Sequence, residues 1–288
     1  MKKRKIWRLG LIGYPLDHSY SPLLHQTALV DAGLTGTYTL YSLPDPQQIA
    51  PLLEKLRTGE LDGLNVTIPY KKEVTRYLDG LTTSAHAIGA VNTIFWKGGM
   101  LIGDNTDAPG FGQDLEHSFR GYSHSGNHAL VLGAGGAACS VVYALLIQGW
   151  AVTLAARRVS QAMLLSESFN YPNLHTTHWE AVSNPSFLKK FSLLVNTTPV
   201  GMAPLIDQNP LAADITLPAG MLVYDLIYNP QKTRLLQLAE KNNAKAINGL
   251  GMLLQQAVLS FEIWTGKKVS VEKMRQVLEK KLESEEER

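Results

Sequence analysis

The segment that most constrains the fold is a stretch from Ala129 to Ala156 that contains no charged residue. An unbroken apolar run of about 18 residues would be a candidate membrane span. Here glycines interrupt the run at Gly133, Gly135 and Gly136, and again at Gly149. These interruptions predict instead a buried strand, a tight turn, a helix, a second turn and a second strand. Because parallel strands need a crossover connection, such a unit indicates a parallel α/β sheet.

The first turn of this unit reads GAGGAA over residues 133–138 and fits the pattern G-x-G-x-x-A between a strand and a helix. In this pattern Gly133 permits the tight turn, Gly135 lets the backbone approach a pyrophosphate, and Ala138 allows close packing. The helix N-terminus adds free N–H groups and a positive dipole. A glycine-rich turn that binds nothing is the alternative. The pattern predicts a dinucleotide site formed by Gly133, Ala134, Gly135, Gly136 and Ala137.

The second strand of the unit ends in Ala156-Arg157-Arg158. An NAD site would place a carboxylate near this position to bind the ribose 2′-hydroxyl. Two guanidinium groups instead attract a 2′-phosphate and pair with it bidentately. Two surface arginines at a strand end are the plainer interpretation. The sequence therefore favours NADP over NAD, with Ala156, Arg157 and Arg158 at the phosphate.

Strand and helix patterns alternate along the rest of the chain. The predicted strands are 7–12, 38–43, 63–68, a hairpin of 91–96 with 100–102, then 130–132, 152–155, 193–196, 222–226 and 245–247. The predicted helices are 22–33 with Ser21 as N-cap, then 47–57, 107–119, 137–148, 233–242, 250–264 and 271–283, and residues 121–128 are predicted to form a loop. The predicted fold is α/β with two domains. Residues 1–106 plus 249–288 form an N-terminal α/β substrate domain, and residues 107–248 form a Rossmann-type doubly wound domain.

Composition excludes several other classes of protein. The 288 residues suffice for two domains, and 27 Lys and Arg against 25 Asp and Glu give a net charge of +2. Lys2, Lys3, Arg4 and Lys5 account for that excess, so no folded basic patch indicates nucleic-acid binding. The single cysteine, Cys139, excludes an intramolecular disulfide and suits a reducing compartment. We therefore expect a cytoplasmic protein without a membrane segment.

Three clusters of small polar residues stand out in the N-terminal part. They are His18–Ser21, the segment Asn65–Lys71, and Asn92 together with Gly103–Asp107. Alternation along a strand places Asn65 and Thr67 on one face, opposite Val66 and Ile68. Any one cluster is explained by caps and turns, where Ser and Asn are common. Together they predict a polyhydroxylated ligand.

Eight motifs occur in the order in which they are found in shikimate dehydrogenases. They are HSYSPLLHQ, NVTIPYK, GAVNTI, GDNTD, the GAGGAA loop, NTTPVGM, YDLIYNP and NGLGMLLQQA. The chain resembles this family from about Leu9 to Trp264. The resemblance implies an oxidoreductase acting on a secondary CH–OH group. Its reaction would be the reversible, NADP-linked reduction of 3-dehydroshikimate to shikimate, in the chorismate route of aromatic amino-acid biosynthesis.

The resemblance also assigns roles to residues. Lys71 and Asp107 would form the catalytic pair, with Lys71 mainly polarising the reacting oxygen and proton transfer shared between the two. Ser19 and Ser21 would bind the substrate carboxylate near Tyr228, and the ring hydroxyls would be held by Asn65, Thr67, Asn92, Asp107 and Gln256. The cofactor would also contact Thr197, Leu226 and Gly249. The family's Asn-Arg-Thr motif at the adenine phosphate is Ala156-Arg157-Arg158 here, so Arg157 is kept while the amide and the hydroxyl are lost.

Two other functions stay open. One is a quinate/shikimate dehydrogenase that also uses NAD, against which Arg157 and Arg158 argue. The other is a non-catalytic NADP-binding sensor, which would be expected to have lost Lys71 or Asp107. No metal site is expected, because His175 and His178 lack a third ligand. The expected partner is a small-molecule substrate, and the sequence leaves a monomer and a homodimer equally open.

Overall fold

The computed structural model describes residues 5–120, 126–212 and 214–286. The chain divides into two compact units, Met1–Gly110 with Leu254–Arg288, and Phe111–Leu253. Each unit contains its own six-stranded sheet. The α/β class predicted from the alternating pattern is therefore confirmed.

The first unit is built on a mixed sheet. Its strands are β1 (Ile6–Gly13), β2 (Thr35–Ser42), β3 (Gly63–Val66), β4 (Gly80–Leu81), β5 (Thr93–Lys97) and β6 (Met100–Asp104), in the order β2-β1-β3-β5-β6-β4. Its helices include α1 (Ser21–Asp31), α2 (Ile49–Arg57) and α3 (Thr83–Ile88), with single 3₁₀ turns at Pro46–Gln48 and Glu73–Tyr77. Strands β1, β2 and β3 are mutually parallel, whereas β5 runs antiparallel to both β3 and β6. The centre of the sheet is therefore formed by β1, β3 and β5.

Burial patterns explain these elements. Helix α2, which lies within the predicted helix of residues 47–57, presents Ile49, Leu52, Leu53 and Leu56 to the core at a helical spacing. All four residues of β3 are buried, because the strand lies in the middle of the sheet.

The hairpin of β5 and β6 turns at Gly98 and Gly99. Their φ values of 60° and 83° are those that a two-residue hairpin turn of the primed type requires.

The second unit is a fully parallel, doubly wound sheet. Its strands are β7 (His128–Leu132), β8 (Ala151–Ala156), β9 (Leu174–His178), β10 (Leu193–Asn196), β11 (Leu222–Asp225) and β12 (Lys245–Asn248). They run in the order β12-β11-β10-β7-β8-β9, which is the dinucleotide-binding order with its switch point between β7 and β10. The helices within it are α5 (Gly136–Ile147), α6 (Val159–Phe169), α7 (Pro185–Leu188) and α8 (Arg234–Lys241).

The uncharged stretch forms β7, α5 and β8, as predicted. Three further helices complete the chain: α4 (Asp107–Phe119), α9 (Leu250–Thr265) and α10 (Val271–Glu286). No helix in the described ranges is long and apolar enough to cross a membrane. The same ranges contain no group of three or more His, Cys, Asp or Glu side chains able to hold a metal ion.

Three local predictions were wrong or lie outside the described residues. Ser21 is the first helical residue of α1 rather than its N-cap; Tyr20 occupies the cap position, and no side chain caps the helix. The strand predicted for 63–68 ends at Val66, and Ile68 is 68% exposed, so it does not belong to a buried face. Most of the predicted loop, residues 121–125, lies outside the described residues.

Candidate active site

An ion pair between Lys71 and Asp107 is the centre of the polar cluster in the first unit. The Lys71 Nζ atom lies 2.6 Å from Oδ2 of Asp107, and both side chains are mostly buried. Lys71 follows β3 after a turn in which the Tyr70 amide donates to the Thr67 carbonyl. Asp107 is the first residue of α4, where the helix dipole favours a negative charge. The turn after β3 and the start of α4 therefore bring the charges of Lys71 and Asp107 together.

Asn92 fixes the second oxygen of Asp107. Its Nδ2 atom donates to Asp107 Oδ1 at 2.8 Å and lies 2.9 Å from the hydroxyl of Thr106. Its Oδ1 atom accepts from the Thr106 backbone amide at 2.8 Å. Because a backbone N–H can only donate, the carboxamide orientation of Asn92 is settled by Thr106. Asn92 is only 2% exposed, so this is a buried and satisfied polar contact.

Asn65 extends the network from the middle of β3. Its Nδ2 atom donates to the carbonyl of Asn92 at 3.0 Å and to the hydroxyl of Thr93 at 3.2 Å. Its Oδ1 atom accepts from the hydroxyl of Tyr38 at 2.8 Å. Thr93 in turn donates to Asn92 Oδ1 at 3.0 Å. One continuous chain of hydrogen bonds thus runs from Tyr38 to Lys71.

The two serines lie between β1 and α1. The Ser19 hydroxyl accepts from the Ser21 amide at 3.3 Å, and both residues are half-buried. Burial raises the pKa of the Tyr38 phenol, against a smaller opposite effect of the nearby Ser21 side chain. Ser21 therefore adjoins the polar network of Asn65.

The remaining predicted substrate residues fall in different places. Thr67 is half-buried on the turn that leads to Lys71. Gln256 lies on α9 beside Gly110, and a Cβ added at Gly110 would approach the backbone nitrogen of Gln256 to 2.9 Å. Both residues belong to the first unit, whereas Tyr228 belongs to the second. Burial raises the pKa of the Tyr228 phenol, so it stays protonated.

The glycine turn of the second unit is shaped as its sequence predicts. Gly133 has a φ of +103°, and a Cβ there would lie 2.8 Å from the Thr197 hydroxyl oxygen, so only glycine fits. The Thr197 hydroxyl donates to the carbonyl of Leu132 at 2.7 Å, which joins β10 to the end of β7.

The next two glycines face open space. No atom lies within 4 Å of a Cβ added at Gly135 or at Gly136, and no side chain caps the start of α5. An exposed turn with uncapped N–H groups and no side chains in front of it fits a pyrophosphate. The turn of residues 133–137 is therefore a candidate site for a dinucleotide phosphate.

The end of β8 presents two arginines. Ala156 is buried, while Arg157 and Arg158 are exposed and form no ion pair within the described ranges. No carboxylate follows the strand there, since Arg158 leads directly into α6. The position suits a phosphate better than a ribose 2′-hydroxyl.

A buried carboxylate organises the turn after β11. Asp225 accepts from Asn196 Nδ2 at 3.0 Å, from the Ile227 amide at 3.1 Å and from the Thr233 hydroxyl at 2.7 Å. Burial raises the pKa of Asp225 to about 6, and the three hydrogen bonds work in the opposite direction. The same turn carries Leu226. A Cβ added at Gly249 would lie 1.9 Å from the Leu226 carbonyl oxygen, so these two predicted cofactor residues are in contact.

Four residues that support the site have no role assigned from the sequence. Thr106 and Asp225 lie inside quoted motifs, but their partners become visible only in the fold. Thr93 also lies inside a quoted motif, whereas Tyr38 carries no local signal; the register of β2, β1, β3 and β5 brings both to Asn65.

Comparison with known proteins gives consistent similarities over nearly the whole chain. Residues 11–94 match the family described as shikimate dehydrogenase substrate binding domain, and residues 249–279 match the shikimate 5′-dehydrogenase C-terminal domain. The chain is 40% identical to a shikimate dehydrogenase (NADP(+)) of Carboxydothermus hydrogenoformans, over 93% of this chain and 95% of that protein. It is 38% identical to the enzyme of that name from Shouchella clausii, over 94% and 97%.

A solved structure agrees with these matches. The fold superposes on shikimate 5-dehydrogenase from Thermus thermophilus in complex with NADP(H) and shikimate. The TM-score is 0.84 at 35% identity, covering 96% of this chain and 99% of that one.

Proposed function

Because the chain belongs to the shikimate dehydrogenase family, we propose that it catalyses the reversible, NADPH-dependent reduction of 3-dehydroshikimate to shikimate. This reaction belongs to the chorismate route of aromatic amino-acid biosynthesis. The observation that carries the proposal is the Lys71–Asp107 pair, which is held by Asn92 at one end of a single hydrogen-bonded chain.

The two domains would bind different ligands. Residues 1–106 plus 249–288 would bind the substrate, and residues 107–248 would bind the dinucleotide. The polar network supports the first assignment, and the parallel sheet with its glycine turn supports the second.

NADPH supplies a hydride to the carbonyl carbon when it is bound. Lys71 Nζ donates a hydrogen bond to the carbonyl oxygen and polarises the C=O bond, and that oxygen gains a proton as the alcohol forms. The proton comes from the Lys71–Asp107 pair, because a positioned acid in hydrogen-bond reach lowers the barrier. Shikimate oxidation runs through the same groups in reverse.

The polar residues of the network suit the substrate. Ser19 and Ser21 would bind the carboxylate, with Tyr228 beside it, and the ring hydroxyls would be held by Asn65, Thr67, Asn92, Asp107 and Gln256. On the cofactor, the turn of residues 133–137 would hold the pyrophosphate, and Ala156, Arg157 and Arg158 the 2′-phosphate. Thr197, Leu226 and Gly249 would lie at the nicotinamide side. The exposed arginines, which form no ion pair in the described ranges, support NADP.

The two other functions are less well supported. A quinate/shikimate dehydrogenase using NAD would need a partner for the ribose 2′-hydroxyl, and β8 ends in arginines instead. A non-catalytic sensor would have no need of the paired Lys71 and Asp107. We further propose a cytoplasmic enzyme, monomeric or homodimeric; its one cysteine, Cys139, is a buried thiol outside any disulfide.

The test is product identification. Purified protein is incubated with shikimate and NADP, and the products are quantified by absorbance and mass spectrometry. We expect one NADPH and one 3-dehydroshikimate per shikimate consumed. Absence of both products at high protein concentration would refute the proposed function.

A further inference from the structure

Tyr38 is hydrogen-bonded to the polar network of the first unit but has no role in the proposed reaction. It stands on the edge strand β2, opposite Leu9 of β1, and is half-buried. Its hydroxyl donates to Asn65 Oδ1 at 2.8 Å. Its ring stacks on His25 with a centroid distance of 4.4 Å and an interplanar angle of 4°. The Tyr38 side chain is therefore fixed at its hydroxyl by Asn65 and at its ring by His25.

His25 serves as an apolar platform for this ring. It is fully buried, and neither of its ring nitrogens has a hydrogen-bond partner of good geometry in the described part of the chain. Burial lowers the pKa of His25 to about 3, against a smaller opposite effect of the nearby Asn65 side chain, so the imidazole is neutral at physiological pH. The indole of Trp264 lies on it as well, at a centroid distance of 5.2 Å. A neutral ring between two aromatic groups holds Tyr38 by packing rather than by charge.

The direction of each hydrogen bond around Asn65 is settled by chemistry. The Asn92 carbonyl can only accept, so the Asn65 NH₂ group must face it. Oδ1 of Asn65 must then face Tyr38, and the phenol must be the donor. The second amide hydrogen is directed to Thr93. Both N–H groups are thus used within the protein, and what Asn65 can offer a ligand is the second lone pair of Oδ1.

We propose that Tyr38 is a positioning residue, which holds Asn65 so that its carboxamide oxygen accepts a hydrogen bond from a substrate hydroxyl. This inference rests on the proposed function. It assigns Asn65 the role of an acceptor and gives the stacked pair of His25 and Tyr38 a purpose in recognising the substrate.

Removal of the phenolic hydroxyl should weaken substrate binding and little else. Asn65 is only 5% exposed, so loss of the donor leaves Oδ1 without this partner and free to tilt. The substrate must then order this group when it binds. One hydrogen bond of ordinary strength corresponds to roughly a tenfold change in an equilibrium constant.

The experiment compares Tyr38→Phe with Tyr70→Phe. Tyr70 is a matched control, because its hydroxyl donates to the backbone carbonyl of Leu43 rather than to Asn65. In Tyr38→Phe we expect the KM for shikimate to rise about tenfold, with the KM for NADP unchanged and kcat within about threefold of the parent. Tyr70→Phe should leave all three near the parent values.

A second measurement separates positioning from a general loss of structure. Deoxy analogues of shikimate, each lacking one ring hydroxyl, are titrated as competitive inhibitors of the parent and of Tyr38→Phe. The analogue without the hydroxyl that meets Asn65 should bind both proteins equally, and the others should bind the variant about tenfold more weakly.

The proposal is overturned if Tyr38→Phe matches the parent in its KM for shikimate. It is also overturned if every analogue loses affinity equally, or if Tyr38→Phe unfolds where Tyr70→Phe does not. A parent enzyme that turns over no shikimate would refute the proposed function instead, so the two failures are distinguishable.

Discussion

At the scale of single residues, the site depends on an ordered set of donors and acceptors. Lys71 is tied to one oxygen of Asp107 and Asn92 to the other, and Thr106 fixes the orientation of Asn92. Thr106 thus orients Asn92, and Asn92 in turn holds Asp107, which is the partner of Lys71. A substitution at any of these positions should therefore change the kinetic constants more than it changes the free energy of unfolding.

Lys71→Ala tests the catalytic pair. Loss of the ammonium removes the group that we propose polarises the carbonyl, so kcat should fall by about 10²- to 10⁴-fold. Initial rates with shikimate and NADP measure the effect. Lys72→Ala is the control, because Lys72 is the exposed neighbour on the same turn, and it should retain the kcat of the parent. A Lys71→Ala enzyme with a raised KM and a nearly unchanged kcat would contradict the assignment.

The sequence predicts Lys71 and Asp107 as a catalytic pair, whereas it gives no sign of the contact between Tyr38 and Asn65. Lys71 and Asp107 stand in recognisable motifs. Tyr38 stands in a plain β-rich segment, and its contact with Asn65 depends on β2 pairing with β1 and β1 with β3. Sequence patterns predict a strand, but not which side chains of separate strands become neighbours.

At the scale of elements, the turn between β7 and α5 combines two different demands on glycine. Gly133 must adopt a positive φ and leaves no room for a side chain beside Thr197. Gly135 has an ordinary negative φ and faces open space. The fold requires the first glycine, and we propose that the ligand requires the second.

Gly133→Ala and Gly135→Ala should therefore fail in different ways. Gly133→Ala forces a side chain into a disfavoured conformation, which should lower the free energy of unfolding by about 1–3 kcal/mol. Gly135→Ala should change that free energy by less than about 1 kcal/mol but raise the KM for NADP at least about tenfold, because the methyl group stands where the pyrophosphate approaches. Chemical denaturation and steady-state kinetics measure the two effects. An unchanged KM for NADP in Gly135→Ala would show that the phosphates lie elsewhere.

Many elements were predicted within a few residues, but helices α3, α6 and α7 and strands β4 and β9 were not among the predicted elements. Strand β4 has two residues, and β9 has the sequence Leu-His-Thr-Thr-His, with little apolar signal. Both owe their conformation to pairing with a neighbouring strand, β6 and β8 respectively. Local propensity is too weak to predict such strands.

At the scale of the whole molecule, each unit carries a buried group whose shifted pKa couples stability to acidic pH. In the first unit burial lowers the pKa of His25 from 6.5 to about 3, so its contribution to stability is lost as the pH falls below 6.5. In the second unit burial raises the pKa of Asp225 from 3.8 to about 6, so its contribution is lost as the pH rises from 3.8 through 6. Between about pH 4 and 6 the two effects oppose each other.

The variant Asp225→Asn tests whether the pH effects of His25 and Asp225 on stability oppose each other. In the parent, protonation of Asp225 offsets part of the stability that His25 loses as the pH falls, and the variant lacks this offset. The variant should therefore lose about 2 kcal/mol more stability than the parent when the pH is lowered from about 6 to about 4. Urea denaturation at several pH values gives the two curves. Parallel curves for parent and variant would show that Asp225 does not titrate in this window.

The α/β class and the Rossmann sheet were predictable because βα alternation and the glycine turn are local patterns. The mixed order of the first sheet was not, since β4 pairs with β6 and β5 with β3 between segments that are distant in the sequence. The fold therefore confirms the α/β class, whereas the chain of hydrogen bonds from Tyr38 to Lys71 could be identified only from the structure.

The central claim is that this chain interconverts shikimate and 3-dehydroshikimate with NADP. The most direct test is kcat/KM for shikimate and for quinate, each measured with NADP and with NAD under identical conditions. We expect shikimate with NADP to give the highest value of the four, because Arg157 and Arg158 favour the 2′-phosphate. A higher value for quinate with NAD, or no turnover of any pair, would contradict it.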